Sequence, residues 1–181
     1  MATESLRFKS TNHTWTIKAE DAGYTGYPNS GQLSFYNGAT KLWGLNEIGW
    51  VQNPNTPSFS VGMVSYPSNA NGSIVTNYNL IFHNIGGYLD TTAGRFTAPI
   101  DGRYFFSFHA FCQSGGNNSG GLYFRVNGSN TRRIYSSEVN AYRPWSITSV
   151  IQLSVGDYVE VYTDLDLHDN DSNYFSGQLL G

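Results

Sequence analysis

The run Gly102-Arg103-Tyr104-Phe105-Phe106-Ser107-Phe108-His109-Ala110-Phe111-Cys112 decides the fold class. A strand turns successive side chains to opposite faces. One face then carries Tyr104, Phe106, Phe108, Ala110 and Cys112, and the other Arg103, Phe105, Ser107, His109 and Phe111. Aromatics stand on both faces, whereas a strand with one face in water alternates cleanly. The second face is therefore expected to be covered, either by another copy of the chain or by a large core.

Working outward, the rest of the chain follows the same grammar. Apolar residues alternate or run in short blocks, and Gly, Asn, Asp, Ser or Pro interrupt them about every 8–12 residues, the pattern of an all-β sandwich or barrel. Asn37-Gly38 and Asn127-Gly128 suit type I′ hairpins, in which both central residues need φ > 0. Pro99-Ile100-Asp101-Gly102 and Val155-Gly156-Asp157 mark tight turns. Gln52-Asn53-Pro54-Asn55-Thr56-Pro57 cannot continue a central strand, because its two prolines donate no ladder hydrogen bond. Residues 52–58 are read as a linker between an N-terminal β module, 1–51, and a head, 59–181. A module of about 50 residues is small for an independent core, so oligomerisation is the expected help.

Composition narrows the class. The chain has 181 residues, of which 13% are charged and 15% aromatic. The charged share is about half the roughly 25% usual in soluble domains. A net charge of −3 and a pI near 5.7 argue against non-specific nucleic-acid binding. No run of about 18 apolar residues exists, so no membrane insertion through a helix is expected. Residues Met1 to Ser10 lack the apolar core of a secretory signal. Cys112 is the only cysteine, which rules out an intramolecular disulfide and a cysteine zinc site.

From Tyr78 onward the spacing takes on a specific form. Tyr78, Asn84, Leu89 and Phe96 are followed by Gly102 and by Tyr104, Phe106 and Phe108 at alternate positions. Leu153-Ser154-Val155-Gly156-Asp157-Tyr158-Val159 and Phe175-Ser176-Gly177-Gln178-Leu179-Leu180 close the series. This pattern resembles the complement component 1q-like and tumour-necrosis-factor-like jelly-roll heads, with Tyr78 where that family usually has Phe. The resemblance implies a ten-strand jelly-roll sandwich that forms a homotrimer. Tyr104, Phe106, Phe108, Tyr158, Tyr162 and Tyr174 are the candidates for its trimer interface.

The first 50 residues are similar to something else. Trp15 to Ala19, Gly31 to Tyr36 and Lys41 to Val51, with Pro54, Pro57 and Phe59, resemble a shaft repeat of phage tail fibres. The pairing implies a virion tail-fibre tip that recognises a host-cell surface, with the rest of the fibre or another virion protein at its N-terminus. An extracellular lectin-like recognition protein and a structural trimerisation cap are the alternatives.

The chemistry-bearing residues fit binding better than catalysis. No Gly-X-Ser-X-Gly elbow and no His-Glu-X-X-His metal motif occur. Asp101 and Asp157 read as turn residues, so no enzyme activity is expected. Asp164, Asp166, Asp169 and Asp171 form the one acidic cluster and are weak candidates for Ca²⁺. In the resembled family, calcium near the apex uses an acidic loop; the matching stretch here, Tyr142-Arg143-Pro144-Trp145, lacks those acids. The resemblance places the Ser136–Trp145 connection and the Asp164–Asn173 stretch toward the apex. Tyr142, Arg143, Trp145, Asp166, His168 and Asp169 are therefore the candidate receptor-binding residues. Aromatic faces suit sugar rings, and Arg and Asp suit hydroxyls. For Trp145 a buried place at a strand start is the alternative.

Overall fold

A computed structural model describes residues 5–9, 13–21, 31–46, 51–64, 72–113, 119–136, 142–168 and 172–181, and among them it contains strands and turns but no helix. The chain divides into two compact units, Met1–Asn55 and Thr56–Gly181.

The first unit is one antiparallel sheet in chain order: β1 (Ser5–Lys9), β2 (Thr14–Asp21), β3 (Gly31–Asn37), β4 (Thr40–Asn46) and β5 (Val51–Gln52). Its register sorts the side chains cleanly. Leu6 pairs with Ile17, Ile17 with Phe35 and Phe35 with Trp43. Phe8 pairs with Trp15, and Ala19, Leu33, Leu45 and Val51 make a third row of the same face. Arg7, Thr16, Tyr36, Lys18 and Ser34 share the opposite face, where the Lys18 ammonium lies 4.3 Å from the Tyr36 ring centre. The β3–β4 hairpin departs from the expected type I′ turn. Its tip is Gly38-Ala39, between paired Asn37 and Thr40, and of these only Gly38 has positive φ.

The second unit packs two sheets face to face. In the first, β14 (Pro144–Leu153), β11 (Gly102–Phe111), β16 (Asn173–Leu179), β6 (Ser58–Met63) and β8 (Leu80–Ile85) lie in that order. In the second the order is β13 (Ser129–Ser136), β12 (Gly120–Val126), β15 (Tyr158–Thr163), β10 (Arg95–Thr97) and β9 (Leu89–Asp90), and the two-residue β7 (Ser73–Ile74) pairs with β15. These are the ten strands of a jelly roll, with β7 added. Asn127 and Gly128 both have positive φ (50° and 79°), so the β12–β13 hairpin is the type I′ turn its sequence asks for.

The core lies between the sheets and is largely aromatic. The Phe175 ring sits 4.8 Å from Phe59, 5.8 Å from Tyr78 and 6.2–6.3 Å from Phe106, Phe108 and Phe124, within the range in which rings attract beyond their area burial. Gly177 keeps two of these rings close; a Cβ there would stand 2.7 Å from both Phe59 and Phe106. The spacing Tyr78, Asn84, Leu89, Phe96 now has a cause. Tyr78, Leu89 and Phe96 are buried. Asn84 closes the intervening turn, its amide donating to the Leu89 carbonyl (2.9 Å) and its oxygen accepting from the Leu89 N–H (3.3 Å).

The six aromatics expected at one interface fall in three places, which corrects that expectation. Tyr104, Phe106 and Phe108 are completely buried in the protomer's own core, because the second sheet covers that face of β11. Tyr158 and Tyr162 stand on the outward face of the second sheet. There the Arg95 and Arg125 guanidinium groups lie over them, 4.6 and 5.2 Å from the ring centres. Both arginines reach the buried Glu160, Arg95 at 2.8 Å and Arg125 at 3.7 Å. Tyr174 alone lies on the outward face of the first sheet, against Phe82 (6.1 Å between centres) and over Gly62.

Candidate functional site: the apical ring cluster

The head has two chemically different ends. At one end the chain enters, with Ser58 paired to Gln178, Gly102 to Leu153, and Arg103 bonded to Gly181 and Leu180. At the other end the strand termini are tied by backbone bonds. Cys112 bridges to Leu167 and donates to the Arg143 carbonyl, and Gln113 donates to Asp166. His168 donates to Phe111 (2.7 Å) and Asp164 to Gly121.

Three rings converge at this second end. Phe111 closes β11 on its outward face, Tyr142 precedes β14, and His168 follows the Cys112–Leu167 bridge. Their centres are 6.1 Å apart for Phe111–Tyr142 and 5.7 Å for each ring with His168. Tyr142 has φ 57°, a left-handed conformation that costs a bulky residue energy and persists only where its surroundings enforce it. In that conformation its ring lies against Phe111 and His168, and Tyr142 is still 55% exposed. Behind the rings lies Asn173, fully buried. Its oxygen accepts from the Phe111 N–H (2.9 Å) and its amide donates to the His168 carbonyl (2.8 Å), so one side chain locks two of the ring bearers. Asn173 was not singled out from sequence. The signal was there only in part, as a polar residue on the core side of an alternating strand.

The structure brings Tyr142, Arg143 and His168 together, with Arg143 exposed beside Tyr142 and Asp166 half-buried two residues before His168. Trp145 is not part of this surface. It pairs with Ala110 and packs half-buried against the core, on the same side of β14 as Ile147 and Ile151. It fills volume as a strand-start residue. Asp169 and Asp171 lie outside the described residues.

Of the four calcium candidates, Asp164 and Asp166 lie among the described residues. The Asp164 carboxylate accepts from the Tyr123 hydroxyl (2.8 Å), a bond that pushes the Tyr123 pKa up. Tyr142-Arg143-Pro144 contributes a cation where oxygen ligands are needed. Among the described residues no three His, Cys, Asp or Glu side chains group to hold a metal. The thiol of Cys112 is fully buried, and burial pushes its pKa up to about 11, so it behaves as a small apolar residue of the core.

The outward face of the first sheet is different again. Ser58, Ser60, Ser107, Ser176 and Thr148 are interleaved with Phe105, Tyr174 and the exposed Phe82 and Val150. Ser58, Ser60, His83, Phe105, Ser176 and Gln178 line a shallow depression of about 220 Å³ on it.

Residues 58–180 match the C1q domain family. Among solved structures, the globular domain of zebrafish complement 1qA protein is similar, with a TM-score of 0.53 and 21% identity over 70% of this chain and 98% of that domain. Murine APRIL is similar too, with a TM-score of 0.52 and 15% identity over 68% of this chain and 99% of its own. At these identities the likeness is one of fold. The fold, the buried family spacing and the 58–180 match agree: the chain belongs to the C1q domain family.

Proposed function

We propose that this protein is a homotrimeric binding protein, the receptor-binding tip of a tailed-phage fibre, and that its apical ring cluster contacts a glycan on the host-cell surface. The observation that carries the reading is the Phe111–Tyr142–His168 cluster with exposed Arg143, at the end of the head opposite the chain entry. An exposed, pre-oriented ring suits the apolar face of a sugar, and a neighbouring guanidinium donates to hydroxyls or carboxylates. The outward face of the first sheet, small and apolar around Phe105, Val150 and Tyr174, is the surface that would meet neighbouring copies. Three copies then act together, so a weak single site gains by avidity. The role is binding, with no catalytic step. The fibre assignment rests on the shaft-like repeat of residues 15–59 and places the protein in the virion.

A second reading, an extracellular lectin-like recognition protein, is favoured by the likeness to the complement 1qA globular domain. Detecting the chain in purified phage particles supports the first reading; finding it only in culture medium supports the second.

Adsorption to candidate host cells and to a glycan array, with wild type and the Tyr142→Gly and Arg143→Ala variants, tests the site. Glycine suits the positive φ at 142, so the ring is lost with folding stability held within about 1 kcal/mol. The expected result is a loss of binding of about tenfold or more in each variant, as one good contact removed from every copy of a multivalent site gives. Undiminished binding by both variants would place the site elsewhere, and no binding by wild type would leave a structural cap.

A further inference from the structure

The N-terminal sheet turns the usual amphipathic arrangement inside out. On its polar face Thr16 and Ser34 are buried. On its apolar face Leu6, Phe8, Trp15, Leu33 and Val51 are between 42% and 59% exposed. Those five side chains leave on the order of 500 Å² open, near the upper end of the patches a monomer displays. A stable interface takes about 800 Å² from each partner, and the partly covered Ile17, Phe35, Trp43 and Leu45 of the same rows extend the patch toward that size.

We infer that this face is an interface between copies of the chain: three N-terminal sheets pack apolar face to apolar face about the axis of the trimer. The choice of occupant follows from chemistry and tethering. The three apolar rows carry no charged residue, so these rows meet one another without like-charge repulsion, and an anionic lipid or a charged partner would find nothing in them to pair with. Arg7, Lys9 and Lys18 all lie on the opposite face. A few residues join each sheet to its head, so assembly of the heads raises the sheets' mutual concentration to the millimolar range. A single-layer sheet also needs a second layer to be stable. The stoichiometry rests on the trimer reading of the head given above.

Thiol protection separates the two ideas. Phe8→Cys and Leu6→Cys place a thiol on the apolar face of the edge strand, and Arg7→Cys and Lys9→Cys place it on the polar face of the same strand. The buried Cys112 does not compete. In the native full-length protein, thiols at 6 and 8 are expected to react with a maleimide about tenfold or more slowly than thiols at 7 and 9, and all four equally in denaturant. Light scattering on the same samples reports assembly. Equal rates in a species near 60 kDa (three times 20.0 kDa) would overturn the inference and leave the head trimer standing. Equal rates in a 20 kDa species would overturn both. Slow labelling at 6 and 8 in a 20 kDa species would mean cover from within the chain and would likewise overturn both.

Discussion

The head and the N-terminal sheet are built from the same alternation of apolar and polar residues, yet the outcome is opposite. In the head, Phe59, Phe106, Phe124 and Phe175 point between two sheets of one protomer and are completely buried. In the N-terminal unit, Phe8 and Trp15 occupy equivalent positions on an alternating strand and stay about half-exposed. The difference lies in layers. A sheet with a partner layer closes a core, and a single sheet leaves its apolar face for something outside the protomer. Strand pattern thus tells which face wants cover, and chain length within the unit tells whether the protomer can supply it.

The contrast can be broken at its strongest point. Phe175→Ala removes a ring that touches five others. It should cost the head about 3–5 kcal/mol, the usual range for emptying an aromatic site in a core, read as a shift of the urea midpoint of the head. Phe8→Ala should move the same transition by less than about 0.5 kcal/mol. An equal shift from Phe8→Ala would show that the two units do not melt independently.

A smaller effect sharpens the comparison on the outward faces. The head closes its second sheet with its own charges, where Glu160 is buried between Arg95 and Arg125 and both arginines lie over tyrosines. Glu160→Gln should destabilise the head by about 1–2 kcal/mol in urea unfolding; breaking a fully buried pair costs more, but Arg95 is partly in water and screened. No change at all would mean that the tyrosines, and not the carboxylate, hold the arginines.

Most of the fold was legible because its determinants are local. Alternation in residues 102–112 sorted the two faces of β11 without telling which is the core face, Asn127-Gly128 dictated its own turn, and the spacing from Tyr78 to Phe96 encodes a turn closed by Asn84. What failed was assigning cover. Aromatics on two faces of β11 pointed to a neighbouring copy, but the sheet that buries Tyr104, Phe106 and Phe108 is formed by residues far along the same chain. The site was legible in part. Tyr142, Arg143 and His168 of the candidate cluster could be named from residue type and from the place that the family resemblance implies. Phe111 and Asn173 could not, because their roles exist only once β11, β14 and β16 share an end. Trp145 was ambiguous for the same reason: its pairing with Ala110 decides which way it points.

Everything proposed here, from the avidity of the apex to the covered N-terminal sheet, depends on three copies. Light scattering of the purified full-length protein measures that most directly. A single species near 60 kDa, three times the 20.0 kDa chain, is expected. A stable, adsorbing 20 kDa monomer would contradict it.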